Sequence, residues 1–196
     1  MHLNGNRWSF TRRFKAKKGQ SRFLDRLDLA RNLFPELDSE TVKVGITLNA
    51  DGKADSKSKA VYFRSRNVSF YVMGHELTHL LQESGKVPKG ERSCDIYTLA
   101  RRDRFCDESP NYVKVPKRLL DEKGFIRMEY RGLVHETAKT ALTLRSSGRK
   151  RYISLFEKTL EEICGKGSEN QVTPSKPPGR NSINLQAQTR LEDFIG

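Results

Sequence analysis

Cysteine is scarce: Cys94, Cys106 and Cys164 are the only three in 196 residues, and no two of them have C-x-x-C spacing. An odd number in no ligand spacing argues against a disulfide framework and reads as buried thiols in a reducing compartment. Long apolar runs are missing as well. No stretch approaches the roughly 20 apolar residues needed to span a bilayer, and Met1-His2-Leu3-Asn4-Gly5-Asn6-Arg7 has no apolar signal core. The expectation is a cytoplasmic, nucleoid-associated protein, or a nuclear one in a eukaryote, with no membrane partner. Acidic side chains are in deficit: 24 Asp and Glu against 37 Lys and Arg leave a net charge of +13. Such an excess predicts a polyanion, DNA first, among the partners. It is steepest at the N-terminus, where Arg7, Arg12, Arg13, Lys15, Lys17 and Lys18 interleave with Trp8, Phe10 and Phe14. Two readings stand for this stretch: phosphate contacts with bases stacked on the aromatics, or a solvated basic face with the aromatics packed on the domain.

Periodicity predicts an α+β domain. Phe23, Leu24, Leu27, Ala30, Leu33 and Phe34 recur at helical spacing until Pro35 stops them. Val42, Val44, Ile46 and Leu48 alternate with polar or small residues, the pattern of a half-buried strand. The Asp, Gly, Ser and Lys between 49 and 59 read as a turn, and Ala60-Val61-Tyr62-Phe63 as a second strand. Helices are predicted over 69–84, 91–102, 130–144 and 151–163, with an ordered extended segment over 105–116 between Pro-marked turns. From Gly165 to Ser182 there is little to bury, the composition of a disordered linker. The division expected is a basic arm over 1–19, a folded domain over 20–165, a linker over 166–184 and a terminal peptide over 185–196.

The densest chemistry lies in one helix. His75-Glu76-Leu77-Thr78-His79 is an H-E-x-x-H placed among Phe70, Tyr71, Val72, Met73, Leu80 and Leu81. Histidines four apart share a helical face, so both imidazoles reach one metal ion, while Glu76 is turned about 100° and faces a metal-bound water. That is a ligand pair with a general base, and the metal expected is one Zn2+. A catalytic zinc takes a third protein ligand and leaves one position for solvent. Glu91 and Asp95, four apart on the next predicted helix, are the candidates, and spacing leaves both open.

His75-Glu76-x-x-His79 followed by Glu91-x-x-x-Asp95 resembles the gluzincins, thermolysin-like zinc metallopeptidases, and especially their reduced forms, the minigluzincins. The resemblance covers roughly residues 40 to 105. It implies a zincin-like domain with a small sheet, an HExxH helix and a glutamate helix, followed by C-terminal helices and a disordered tail. It also implies that Glu91 binds the zinc, that Asp95 orients a ligand histidine, and that Glu76 is the base of peptide hydrolysis. Only eleven residues separate His79 from Glu91, fewer than in thermolysin, which keeps Asp95 open as the ligand. His135 is read either as the accessory oxyanion group of this family or as a structural histidine. The edge strand holding substrate is expected near Ala60 to Phe63.

The end of the chain, Gln188-Thr189-Arg190-Leu191-Glu192-Asp193-Phe194-Ile195-Gly196, resembles a PIP box, the peptide that binds the DNA sliding clamp. Leu191 and Phe194 share one face of a short helical turn and Gln188 supplies a polar anchor, with Ile195 where a second aromatic is usual. The other reading of this tail is a turn docking on its own domain. The combined expectation is a zinc endopeptidase recruited to the clamp, cutting protein substrates on or near DNA, with a task similar to that of Spartan. Two alternatives stand beside it: a non-enzymatic clamp- or DNA-binding adaptor with a structural metal, and a regulatory peptidase specific for one repressor or toxin partner.

Overall fold

The computed structural model describes residues 7–16, 21–64 and 67–166. Among these, Trp8–Phe10 (β1), Val42–Ile46 (β2), Gly52–Asp55 (β3) and Ala60–Phe63 (β4) form one mixed sheet. The strand order is β1-β2-β4-β3; β1, β2 and β4 run parallel, and β3 runs antiparallel to β4. The helices are Arg12–Lys15 (α1), Ser21–Arg31 (α2), Phe70–Glu83 (α3), Glu91–Leu99 (α4), Arg131–Ser146 (α5) and Tyr152–Lys166 (α6). The fold class is therefore α+β. No helix among the described residues is long and apolar enough to cross a membrane.

Alternation decides which sheet face is covered. Val42, Val44, Val61 and Phe63 are buried on one side, while Lys43 and Lys53 are exposed on the other. Helix α2 closes the covered face through Phe23, whose ring meets Phe63 edge-on at 5.6 Å. Helix α3 lies under β3 on that same face, where Gly52 approaches Val72 and Glu76. Helix α4 packs against α3, and α5 and α6 pack behind α4.

Three sequence expectations change here. The stretch read as a turn contains β3, because pairing with β4 and packing on α3 outweigh the poor strand propensity of Gly, Lys and Asp. The substrate-holding edge moves with it: Ala60–Phe63 is an inner strand, and β3 is the edge. Leu48 lies past the end of β2 and is 60% exposed. Thirdly, residues 8–10 of the expected arm are a sheet strand, and Phe14 is buried in the core. Arg7 is engaged by Asn32 and Asp38, whereas Arg12, Arg13 and Lys15 remain exposed on α1. Lys17, Lys18, the linker after Lys166 and the tail motif of Gln188, Leu191, Phe194 and Ile195 lie outside the described residues.

Candidate metal centre

The sequence starts α3 firmly. Ser69 accepts the Val72 N–H on its hydroxyl at 3.0 Å, and the Asp107 carboxylate accepts the Phe70 and Tyr71 N–H groups at 2.8 Å each. Three of the four orphan donors of the first turn are thereby satisfied and a negative charge faces the helix N-terminus. After α3, Gly85 takes a φ of +74° and the chain turns within a few residues to Gly90, at φ +104°, where α4 begins.

This short return brings Glu91 onto the histidines. His75 Nε2 lies 3.1 Å from His79 Nε2, and Glu91 Oε2 lies 3.2 Å from each. The three atoms form a nearly equilateral triangle. A tetrahedral zinc with bonds of about 2.0–2.1 Å needs neighbouring ligand atoms about 3.3 Å apart, so the donor set fits such an ion. Glu91 keeps 45% of its side chain exposed, which leaves the outer side of the triangle open.

Hydrogen bonds behind the triangle fix the tautomers. Asp95, fully buried, lies 3.0 Å from His75 Nδ1 through Oδ1. Its Oδ1 also accepts the Tyr71 hydroxyl at 2.6 Å, and its Oδ2 accepts the Tyr112 and Val113 N–H groups at 2.8 and 3.1 Å. Asp95 Oδ1, an acceptor facing the ring, holds the proton on His75 Nδ1, which turns the Nε2 lone pair into the triangle. Burial lowers the His75 pKa, but the Asp95 hydrogen bond and charge, followed by Glu76 and Glu91, raise it overall. Asp95 lies behind His75, so of the two carboxylates it is Glu91 that shares the triangle.

Glu76 is buried beneath β3. Burial and the Glu91 charge push its carboxyl up to about 7 against the opposing His75 charge, while the Ala54 N–H donates to it. The ladder explains why that N–H is free to do so. Arg64 N–H bonds the Asp51 carbonyl at 3.0 Å, so 51/64, 53/62 and 55/60 are the bonded pairs, and Gly52 and Ala54 aim their backbone groups at the open edge. A Cβ on Gly52 would come within 2.8 Å of Glu76 Cγ and Val72 Cγ1, so glycine is required for this close approach. Val72 also lines an open cavity of about 410 Å³, together with Asp51, Glu108, Phe125 and Arg131 at the start of α3.

His75, His79 and Cys94 also make a cluster that could hold a metal ion, with ligand atoms within 4.8 Å of one another. The Cys94 thiol donates to the His75 carbonyl at 3.2 Å, and burial pushes it well above its ordinary pKa. It is a neutral thiol beneath α3 rather than a thiolate. All three cysteines are free and buried.

His135 does not join the site. Its Nδ1 donates to the Leu99 carbonyl at 2.8 Å, at the far end of α4 and about 12 Å along that helix from Glu91. The Leu99 carbonyl, which the Cys106 thiol also reaches, ties the ring to the C-terminal end of α4 and away from the triangle. Spacing overlooked three residues that the fold brings in. Tyr71, one turn before His75, and Gln82, three residues after His79, carried a helical-face signal. Tyr112 carried none. Its ring stacks on His75 with centroids 6.2 Å apart and planes 18° apart, and its half-exposed phenol is raised in pKa chiefly by the Glu91 charge.

No family model, curated protein or solved structure matches the chain.

Proposed function

We propose that the chain is a zinc peptidase of the gluzincin type, with His75, His79 and Glu91 holding one zinc ion and Asp95 orienting His75. The observation that carries this reading is three side-chain ligand atoms converging to 3.1–3.2 Å, with Asp95 behind His75 Nδ1 so that the His75 Nε2 lone pair faces the triangle. Electron pairs so placed repel one another unless a cation lies between them. Zinc, when bound, supplies a Lewis acid that polarises a carbonyl and acidifies water.

The chain's own residues do the rest. The edge-facing N–H and C=O groups of Gly52 and the C=O of Ala54 pair with an extended polypeptide as an added strand, while the Ala54 N–H stays on Glu76. Glu76, its pKa near that of a working base at neutral pH, takes a proton from water as the C–O bond forms and delivers it to the amide nitrogen as the C–N bond breaks. Tyr112, half-exposed with its ring stacked on His75, is a phenolic donor for the carbonyl oxygen, whereas the Tyr71 hydroxyl is committed to Asp95.

Recruitment to the DNA sliding clamp through Gln188, Leu191, Phe194 and Ile195, and cleavage of proteins on or near DNA, extend this reading. Their support is the tail motif and the net charge of +13, together with the exposed Arg12, Arg13 and Lys15. The test is zinc titration of metal-stripped protein followed by cleavage of an unfolded protein. Stoichiometric uptake and Glu76-dependent cleavage are expected, and no uptake overturns the reading. Recovery on immobilised clamp of the intact chain against one ending at Asn184 tests recruitment, with loss expected in the shorter chain.

Cys94 favours a second reading. Were it a fourth ligand beside His75, His79 and Glu91, the coordination would close and the metal would be structural. That reading predicts a sulfur-to-metal charge-transfer band with Co2+ that Cys94→Ser removes. The peptidase reading predicts none.

A further inference from the structure

We propose that Gln82 is a positioning residue that sets the proton of His79 and the place of Glu91 with one amide, a role that rests on reading the triangle as the metal holder. Gln82 is buried near the end of α3, three residues beyond His79 and on the same face. Its Nε2 donates to the Pro88 carbonyl at 2.7 Å and to the Gly90 carbonyl at 2.9 Å, while its Oε1 lies 2.8 Å from His79 Nδ1.

The two carbonyls decide the rest. Carbonyl oxygens only accept, so the NH2 end of the amide must face them, and a flipped amide would set oxygen against oxygen. Oε1 is then the atom facing His79, and because it too only accepts, the ring proton is on Nδ1. The Nε2 lone pair is left pointing at His75 and Glu91. Asp95 does the same for His75 with a charge; Gln82 does it for His79 without adding one, and uses its remaining hydrogens elsewhere.

Those hydrogens hold the return loop. Gly90 immediately precedes α4, has no side-chain cap, and its carbonyl also accepts the Cys94 N–H at 3.0 Å, the first bond of that helix. Fixing the Pro88 and Gly90 carbonyls against α3 therefore fixes where α4 begins, and Glu91 is its first residue. Eleven residues suffice between His79 and Glu91 because a side chain of the first helix grips the start of the second.

The test uses the full chain with Gln82→Met, which keeps the volume and removes all three bonds, and Gln82→Glu, which keeps the acceptor and removes both donors. Imidazole nitrogen NMR of the metal-free proteins, at a pH where His79 is neutral, should find the proton on Nδ1 in the wild type and the Glu variant. The Met variant should show a mixture shifted toward Nε2. Zinc affinity, measured by chelator competition, should fall about 10- to 100-fold in the Met variant, and also fall in the Glu variant despite its retained tautomer. If the Met variant does not fold, the Glu variant alone decides whether the loop donors matter. The proposal is overturned by an Nε2 proton on wild-type His79, or by either folded variant binding zinc as tightly as the wild type. Absence of zinc binding in every protein would instead sink the metal reading, with the tautomer spectrum still judging the amide.

Discussion

Two buried polar clusters lie on the same side of the sheet and differ in one respect. Around Arg31, fully buried at the end of α2, guanidinium donors meet the carbonyls of Arg7, Leu37 and Glu40, and the Trp8 ring lies 4.6 Å from the cation. The two terminal nitrogens meet carbonyl acceptors supplied by the chain, and of the guanidinium only Nε lacks a partner. At His75, His79 and Glu91 the outer bonds are complete, through Asp95 and Gln82, yet three acceptors are left facing one another. A fold that pairs a buried cation with carbonyls of its own chain, and brings acceptors together beside Glu76, separates a structural polar cluster from a candidate binding one by whether donor faces acceptor.

Substitutions can break this contrast. The largest effect expected is on turnover: Glu76→Gln should lower peptide hydrolysis by about 10²- to 10⁴-fold with zinc uptake unchanged, as measured by cleavage rate and metal titration. Unaltered cleavage would remove Glu76 from the chemistry. Next comes the charge behind the triangle. Asp95→Ala strips the acceptor from the Tyr71 hydroxyl and two buried N–H groups, so denaturant unfolding of the metal-free chain should show a loss of about 3 kcal/mol or more, and zinc affinity should fall with it. Arg31→Leu should cost about 2–4 kcal/mol by removing three hydrogen bonds, with the Arg7 and Leu37 carbonyls keeping their backbone donors Val42 and Glu40, while zinc affinity holds. If zinc affinity fell as steeply as stability, the two clusters would not be separable.

A pH dependence sharpens the same contrast. The Glu76 carboxyl has a folded pKa of about 7, above its ordinary value of 4.5. Its contribution to stability is therefore fully present below the unfolded value and is lost as pH rises through the folded one. The metal-free wild type should lose roughly 3 kcal/mol between pH 4 and pH 8 relative to Glu76→Gln, and parallel unfolding curves across that range would contradict the assignment. The smallest effect expected is that of His135→Gln: cleavage within about twofold of wild type, with a loss of about 1 kcal/mol from the hydrogen bond to the Leu99 carbonyl, which keeps the Cys106 thiol.

What could be read along the chain was whatever one element contains. The helix carrying His75, Glu76 and His79 was legible because periodicity, an N-cap and ligand spacing all lie in one stretch, and the same holds for the pairing of Glu91 with Asp95 on the next helix. Strand β3 was not legible, since Gly52, Lys53, Ala54 and Asp55 carry no strand pattern and are held by β4 above α3. Tyr112 lay in an irregular segment, and only the Asp95 carboxylate accepting its backbone N–H brings its ring over His75. The basic run at the N-terminus was legible as charge but not as the strand and core residue it becomes.

The order of residues alone determined that two imidazoles share a helical face with a carboxylate turned about 100° from them, because 3.6 residues per turn makes that a local fact. It also determined the positive charge, which is a sum. Which carboxylate completes the triangle, which nitrogen of each ring carries the proton, and which strand overlies the base were decided by the tertiary structure. Each depends on atoms from separate elements meeting within hydrogen-bonding distance, and no local pattern fixes such a meeting.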